Sequence, residues 1–130
     1  MSRREIRERI FQILFRMEFH PKEDFDEQLC WQAEDEEASD ADTVYIQDKI
    51  YAVAEKAEEI DAMINEVAKG WKTTRMAKVD LALLRLAVYE IKFDAEIPTG
   101  VAINEAVELA KKYGTDESSS FVNGILAKIA

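Results

Sequence analysis

Apolar residues recur along this chain at helical intervals almost from end to end. Ile6, Ile10, Ile13, Leu14 and Met17 form one stripe of a first helix, predicted from near Ser2 to about Phe19. Ser2, with Glu5 three residues on, has the form of a capping box. Phe11, Phe15 and Phe19 repeat at every fourth position on the opposite side. A helix with two apolar faces is either sandwiched inside the domain or offers one face to a partner. Pro21 ends it. Phe25 to about Gln32 carries a short helical pattern, with Phe25, Leu29, Cys30 and Ala33 as its apolar residues. Glu34 to Asp42 is then expected to be an acidic, solvated loop.

From Thr43 to Lys69 the pattern is helical throughout. Val44, Ile46, Ile50, Val53 and Ala54 lead into Ala57, Ile60, Met63, Ile64 and Val67. The stretch is long for one globular helix, so a break is expected near Glu58, with the second helix ending at Gly70. Trp71 to Thr74 reads as a connector. Met76 to Phe93 is the most apolar helix, and its polar stripe is narrow: Lys78, Arg85, Tyr89 and Lys92. Such a helix belongs at the centre of a bundle. Asp80 falls in its first turn, where a carboxylate suits the helix dipole, and Glu90 reads as a paired structural acid.

A turn at Ile97-Pro98-Thr99-Gly100 feeds two final helices. Ile103, Ala106, Val107, Ala110 and Tyr113 share one face of the first, and Gly114 is expected to stop it in a left-handed conformation. Asp116 is expected to cap the second, with Glu117 favourable in its first turn. Its buried face is Phe121, Val122, Ile125, Leu126 and Ile129. Gly124 costs that helix roughly 1 kcal/mol relative to Ala, which predicts a close approach to its backbone. The whole reads as one all-α domain, residues 1–130, of about seven helices, with a division near Trp71 into halves 1–71 and 72–130.

Length and composition agree. A chain of 130 residues, 48% hydrophobic and 34% charged, suits one soluble domain, and four Gly with two Pro leave little turn punctuation for a many-stranded sheet. Cys30 is the lone cysteine, so no disulfide forms within the chain and a reducing compartment is expected. The charged N-terminus lacks an apolar signal region, and no run of about 18 apolar residues exists. The expected location is the cytoplasm, with no membrane partner.

The net charge is −10, which at first argues against a nucleic-acid partner. Its distribution alters that reading: residues 1–20 balance at +2, 21–66 at −13 and 67–130 at +1. A polyanion would need a localised site, or a basic partner that shares the task.

Reaction chemistry is hard to find. One His (His20) and one Cys (Cys30) leave no clustered ligand spacing, so neither a metal nor a cofactor is expected. There is no Gly-rich phosphate loop and no Gly-x-Ser-x-Gly elbow. Glu105 and Glu108, near Lys112, read as ordinary surface pairing. An enzyme is not expected; what remains is recognition. Arg3, Arg4, Arg7 and Arg9 crowd the start of the first helix, and Arg donates in pairs to phosphates and bases. The run Ser118 to Phe121 sits at a helix N-terminus, where free N–H groups favour an anion. Serine hydroxyls can bond phosphate or 2′-OH groups, and an aromatic can stack on an unpaired base. Phe121 also fits the apolar face, and a Ser-rich first turn with a core Phe121 is the reading that packing favours.

The run VAINEAVELAKKYG followed by SSSFVNGILAKI, the run VDLALLRLAVYEI and the Arg-rich first helix together resemble the bacterial transcription antitermination factor NusB family. The resemblance runs end to end, although residues 22–49 match only in helical character. It implies two three-helix bundles packed at an angle. It implies binding of a single-stranded boxA RNA element together with ribosomal protein S10 (NusE), to help assemble an antitermination complex on RNA polymerase, notably at ribosomal RNA operons. By matching position, the RNA surface maps onto Arg3, Arg4, Arg7, Glu117, Ser118, Ser120 and Phe121, and the S10 surface onto Phe15, Phe19 and Asp80. Phe15 stands where the family also carries Tyr, so a hydroxyl contact is missing. Ser120 stands where a base can occur, which weakens one phosphate contact. The resemblance also allows a homodimer through the RNA face. Two alternatives stay open. One is an RNA-binding module acting with a separate RNA methyltransferase chain, since the chain stops at Ala130 without room for a catalytic domain. The other is a protein-only helical adaptor.

Overall fold

The structure is a computed structural model that describes residues 1–20 and 38–130. The short helix expected at Phe25–Gln32, Cys30 and the first part of the acidic segment lie outside the described residues. Those that are described form six α-helices and one 3-10 turn, with no strand. The helices are α1 (Arg3–Met17), α2 (Asp40–Glu55), α3 (Ala57–Val67), α4 (Lys78–Phe93), α5 (Thr99–Tyr113) and α6 (Ser118–Ile129), and the 3-10 turn is Thr73–Arg75. They fall into two compact units, Met1–Ala54 and Glu55–Ala130, with Trp71 inside the second.

In the first unit the capping box forms as expected. The Ser2 hydroxyl accepts from the Glu5 N–H at 3.1 Å, and the Glu5 carboxylate accepts from the Ser2 N–H at 3.2 Å. The N-terminal ammonium reaches the Asp42 carboxylate at 3.3 Å, which ties the start of α1 to the start of α2. Ile10, Phe11 and Ile13 of α1 are buried, as are Ile46, Ile50 and Val53 of α2. Helix α2 begins earlier than expected, inside the acidic segment. Ser39 makes that possible: its hydroxyl accepts from the Asp42 N–H at 3.1 Å, and its carbonyl accepts from Thr43 at 2.9 Å. Asp40 and Asp42 then lie in a first turn, where the dipole favours them. The break between α2 and α3 falls at Lys56, close to the expected Glu58.

The second unit is built around α4. Helix α4 packs against α3, α5 and α6, and α5 packs along α6. Leu81, Leu83, Leu84, Leu86 and Val88 of α4 are all buried, and the stripe of Lys78, Arg85, Tyr89 and Lys92 is the less buried side. Each fully buried Leu or Ile is worth roughly 1.5–3 kcal/mol, so this core outweighs any surface pair. Arg85 adds a directed tie, with its guanidinium forked onto Asp61 of α3 at 2.9 and 2.8 Å. Glu90 is 2% exposed on the apolar side of α4.

Four local expectations are corrected. On α5 the buried residues are Ala102, Ala106, Leu109 and Ala110, while Ile103, Val107 and Tyr113 are only half-buried. The face is rotated because α5 is gripped by both α4 and α6, and a single stripe does not anticipate two neighbours. Gly114 is not left-handed: its φ is −95° and its ψ −167°. The positive φ belongs to Gly70 at +87°, in a turn closed by the Trp71 N–H on the Ala68 carbonyl at 2.8 Å. Asp116 does not cap α6; Glu117 holds the N-cap position without a side-chain bond. Gly124, finally, has nothing within 4 Å of a Cβ built on it.

Candidate functional site

The first candidate group rides on the capped start of α1. Arg3 and Arg4 are exposed, and Arg7 is half-buried. The fully exposed Glu5 carboxyl is held below its ordinary range, first by the Ser2 hydrogen bonds, with the N-terminal charge adding to them. Two backbone donors at the start of α1, those of Ser2 and Glu5, are therefore satisfied by its own side chains. The guanidinium groups add positive charge beside that start.

Further along α1 the three phenylalanines form a ladder. Phe11 and Phe15 stack with ring centres 6.1 Å apart, and Phe15 meets Phe19 edge to face at 5.2 Å. Exposure climbs along it: Phe11 is 1% exposed, Phe15 half-buried and Phe19 61% exposed. One end belongs to the core and the other faces outward.

The second candidate group is the α5–α6 junction. Ser118 is buried, and its hydroxyl accepts from the Thr115 N–H at 3.0 Å. Ser118 therefore shapes the turn and does not face solvent. Gly114 is required by this arrangement. A Cβ there would collide with the Ser118 side chain and come within 2.8 Å of the Ala110 carbonyl. Ser120 is exposed, and Phe121 is half-buried. The N–H groups of Ser119 and Ser120 have no acceptor among the described residues. Two amides at a helix start, with an exposed hydroxyl beside them, form an anion-accepting corner. Glu117 sits on it at the N-cap position, exposed, with the exposed Asp116 just before it.

Asp80 occupies the first turn of α4, half-buried. One of its carboxylate oxygens is enclosed without a hydrogen-bond partner. Arg3, Arg4, Arg7, Phe15 and Phe19 thus belong to the first unit, and Asp80, Glu117, Ser118, Ser120 and Phe121 to the second. Part of the surface pairing expected on this face of α5 is seen. Glu108 pairs with Lys111 at 3.5 Å, and Lys112 lies over the Tyr113 ring at 5.5 Å. Among the described residues no group of three or more His, Cys, Asp or Glu is placed to hold a metal ion. No described helix is long and apolar enough to cross a membrane. The sequence reading missed the paired Ser119 and Ser120 amides and the tight fit of Gly114 to Ser118. Only the Gly-x-x-x-Ser spacing across a helix junction pointed to that fit.

Comparison with known proteins decides the family. The model of the NusB family matches residues 4–130. The chain belongs to the NusB family. It is 57% identical to the transcription antitermination protein NusB of Agathobacter rectalis over 131 aligned positions, covering all of both chains. It is 50% identical to that of Lachnoclostridium phytofermentans, covering 99% of this chain and 98% of the relative. Among solved structures, NusB of T. maritima superposes with a TM-score of 0.92 at 38% identity, covering 100% of this chain and 91% of that one. A structure of antitermination factors NusB and NusE in complex with double-stranded RNA matches with a TM-score of 0.78 at 27% identity, covering 98% and 94%.

Proposed function

We propose that this chain is a transcription antitermination factor. It binds boxA-type single-stranded RNA together with ribosomal protein S10 (NusE) and helps assemble an antitermination complex on RNA polymerase, notably at ribosomal RNA operons. The observation that carries the reading is the near-complete match to a family whose relatives are named for antitermination and include a solved complex with NusE and RNA. The role is binding rather than catalysis, and the place of action is the cytoplasm.

The chemistry of the surfaces supports a division of labour. RNA meets the guanidinium groups of Arg3, Arg4 and Arg7 and the α6 corner of Ser120, Phe121 and the free amides, with Ser118 holding that corner in shape. S10 meets the outward end of the phenylalanine ladder, Phe15 and Phe19, and the carboxylate of Asp80. With a net charge of −10 the chain alone binds RNA weakly, and the basic partner supplies the missing charge.

Calorimetric titration and filter binding test this together. A boxA-like single strand should bind the full chain weakly, and more tightly once S10 is added. Phe15→Ala should weaken S10 binding by about 2 kcal/mol with the helical spectrum unchanged. RNA affinity indifferent to S10, or equal affinity for a duplex of the same sequence, would sink the shared single-strand site. Unchanged S10 affinity in Phe15→Ala would make the ladder internal packing.

A further inference from the structure

The α3–α4 connector carries a charge pattern that the role described so far leaves unused. Between Glu66 and Asp80 the chain holds Lys69, Lys72, Arg75 and Lys78 and no acid, with Trp71 among them. Set against the −10 of the whole, this is a local reversal of sign, and unlike the start of α1, where Glu5 and Glu8 stand among the arginines, it holds no acid. All five side chains are exposed, Trp71 at 56%. Lys69, Trp71, Lys72 and Arg75 make no ion pair and no ring contact among the described residues. Other cations of the same unit are engaged: Lys56 with Glu59 and the Phe93 ring, Arg85 with Asp61, and Lys111 with Glu108.

Nor is the connector loose. Gly70 takes the left-handed φ that lets the Trp71 N–H reach the Ala68 carbonyl at 2.8 Å. The Thr73 N–H donates to the Asn65 side-chain carbonyl at 2.9 Å, and Arg75 N–H donates to the Lys72 carbonyl at 2.8 Å. Thr73 and Met76 are buried and pin the segment from below. Trp71 is therefore held outward by a built turn. The backbone part of its ordering cost is already met before anything binds, which favours contact with a ligand.

We propose that this connector is a second RNA-contacting surface, on which an unpaired base stacks on Trp71 while Lys69, Lys72 and Arg75 neutralise the flanking phosphates. The inference rests on the RNA-binding reading above and extends it to nucleotides outside the element that α1 and α6 hold. Cations spaced around an exposed flat ring are what a single strand needs, because it offers phosphates and a π-face together. An acidic protein segment would use the cations and leave the indole face without a flat partner. The connector and α6 lie in one compact unit, so a strand touching both would be held on a single body.

The test compares a minimal boxA-like single strand with the same strand carrying unpaired uridine tails at both ends, each titrated into the full chain. Tails should raise wild-type affinity by about fivefold or more, the least that one stacked base contributes. Trp71→Ala, and separately the triple variant Lys69→Gln, Lys72→Gln, Arg75→Gln, should lose that gain and keep wild-type affinity for the minimal strand. The triple variant should also flatten the salt slope on the tailed strand by about two. In Trp31→Phe protein, emission from the remaining Trp71 should be quenched by the tailed strand alone. A gain that survives in both variants overturns the proposal, as does a wild type that gains nothing from tails while still binding the minimal strand. Loss of S10 affinity in Trp71→Ala with the tail gain intact would assign the surface to protein and overturn it too. A wild type that binds neither strand, with or without S10, brings down the RNA reading and this inference together.

Discussion

The starts of α1 and α6 are built in opposite ways, although both are proposed to meet RNA. At α1, Ser2 and Glu5 satisfy each other's backbone donors, and the positive charge stands on long arginine side chains. At α6 no side chain caps the helix; Ser118 turns inward to Thr115, and the amides of Ser119 and Ser120 are left for a ligand. One start presents charge on arginine side chains, and the other presents the dipoles of backbone amides. Salt should therefore separate them, since screening weakens exposed charges more than short hydrogen bonds.

The largest effect expected is at Gly114. Gly114→Ala drives a methyl into Ser118 and the Ala110 carbonyl, and should cost about 1–3 kcal/mol, the usual range for overpacking. Thermal unfolding would show it. Gly124→Ala is the control, because its Cβ meets nothing; it should stabilise by up to about 1 kcal/mol. Equal stability in the two variants would mean that the junction yields, and the fixed geometry assigned to the α6 start would weaken.

Next comes the arginine cluster. Arg4→Ala combined with Arg7→Ala should lower RNA affinity and reduce the salt slope by about 1.4, at roughly 0.7 per phosphate on a single strand. Filter binding across a salt series measures this. A loss of affinity with the slope unchanged would show that these side chains act through the fold of α1.

Glu117 is expected to act more weakly and in the opposite direction. Its charge suits the α6 dipole by roughly 0.3–1 kcal/mol in the free protein, yet it opposes phosphate at the same amides. Glu117→Gln should bind boxA-like RNA a few-fold more tightly, with the gain shrinking as salt rises. Equal or weaker binding at low salt would mean that the α6 corner does not face phosphates.

The smallest effect belongs to the capping box. Hydrogen bonds from Ser2 lower the Glu5 pKa in the folded chain. A lowered folded value means the stabilisation is fully present above the unfolded pKa and is lost as pH falls through the folded one. The first turn of α1 should therefore fray on acidification below the ordinary carboxylate range. Amide exchange at Glu5 would report it, and Ser2→Ala should reduce the dependence while the backbone bond to Glu5 keeps part of it.

Much of this contrast could be read before any coordinates. The α1 capping box is local in sequence, so its signature carried it, and the narrow polar stripe of α4 placed that helix at a centre. The junction was harder. Two glycines ten residues apart exchanged roles: Gly124, expected to meet a close neighbour, faces open space, and Gly114, expected to be left-handed, is the crowded one. Spacing says where a glycine lies and not what its missing side chain would touch. Ser118 misled for the same reason, since a serine in a first turn can point out as a ligand or in as a strut. The rotated face of α5 needed knowledge of two packing partners at once. Asp80 was correctly placed in a first turn, but the enclosure of one of its oxygens depends on neighbours that no pattern names.

The fit of Gly114 against Ser118 also bears on heredity. Any side chain at 114 demands that 118 shrink and that the Ala110 carbonyl give way, and a shrunken 118 abandons the Thr115 amide it holds. Neither position can drift by itself through a viable intermediate without loosening the start of α6. In descendants of this gene the two should behave as one inherited character, altered together with the turn between them or left alone. A lineage in which 114 has gained a side chain while Ser118 persists would show that the junction can be rebuilt by backbone movement.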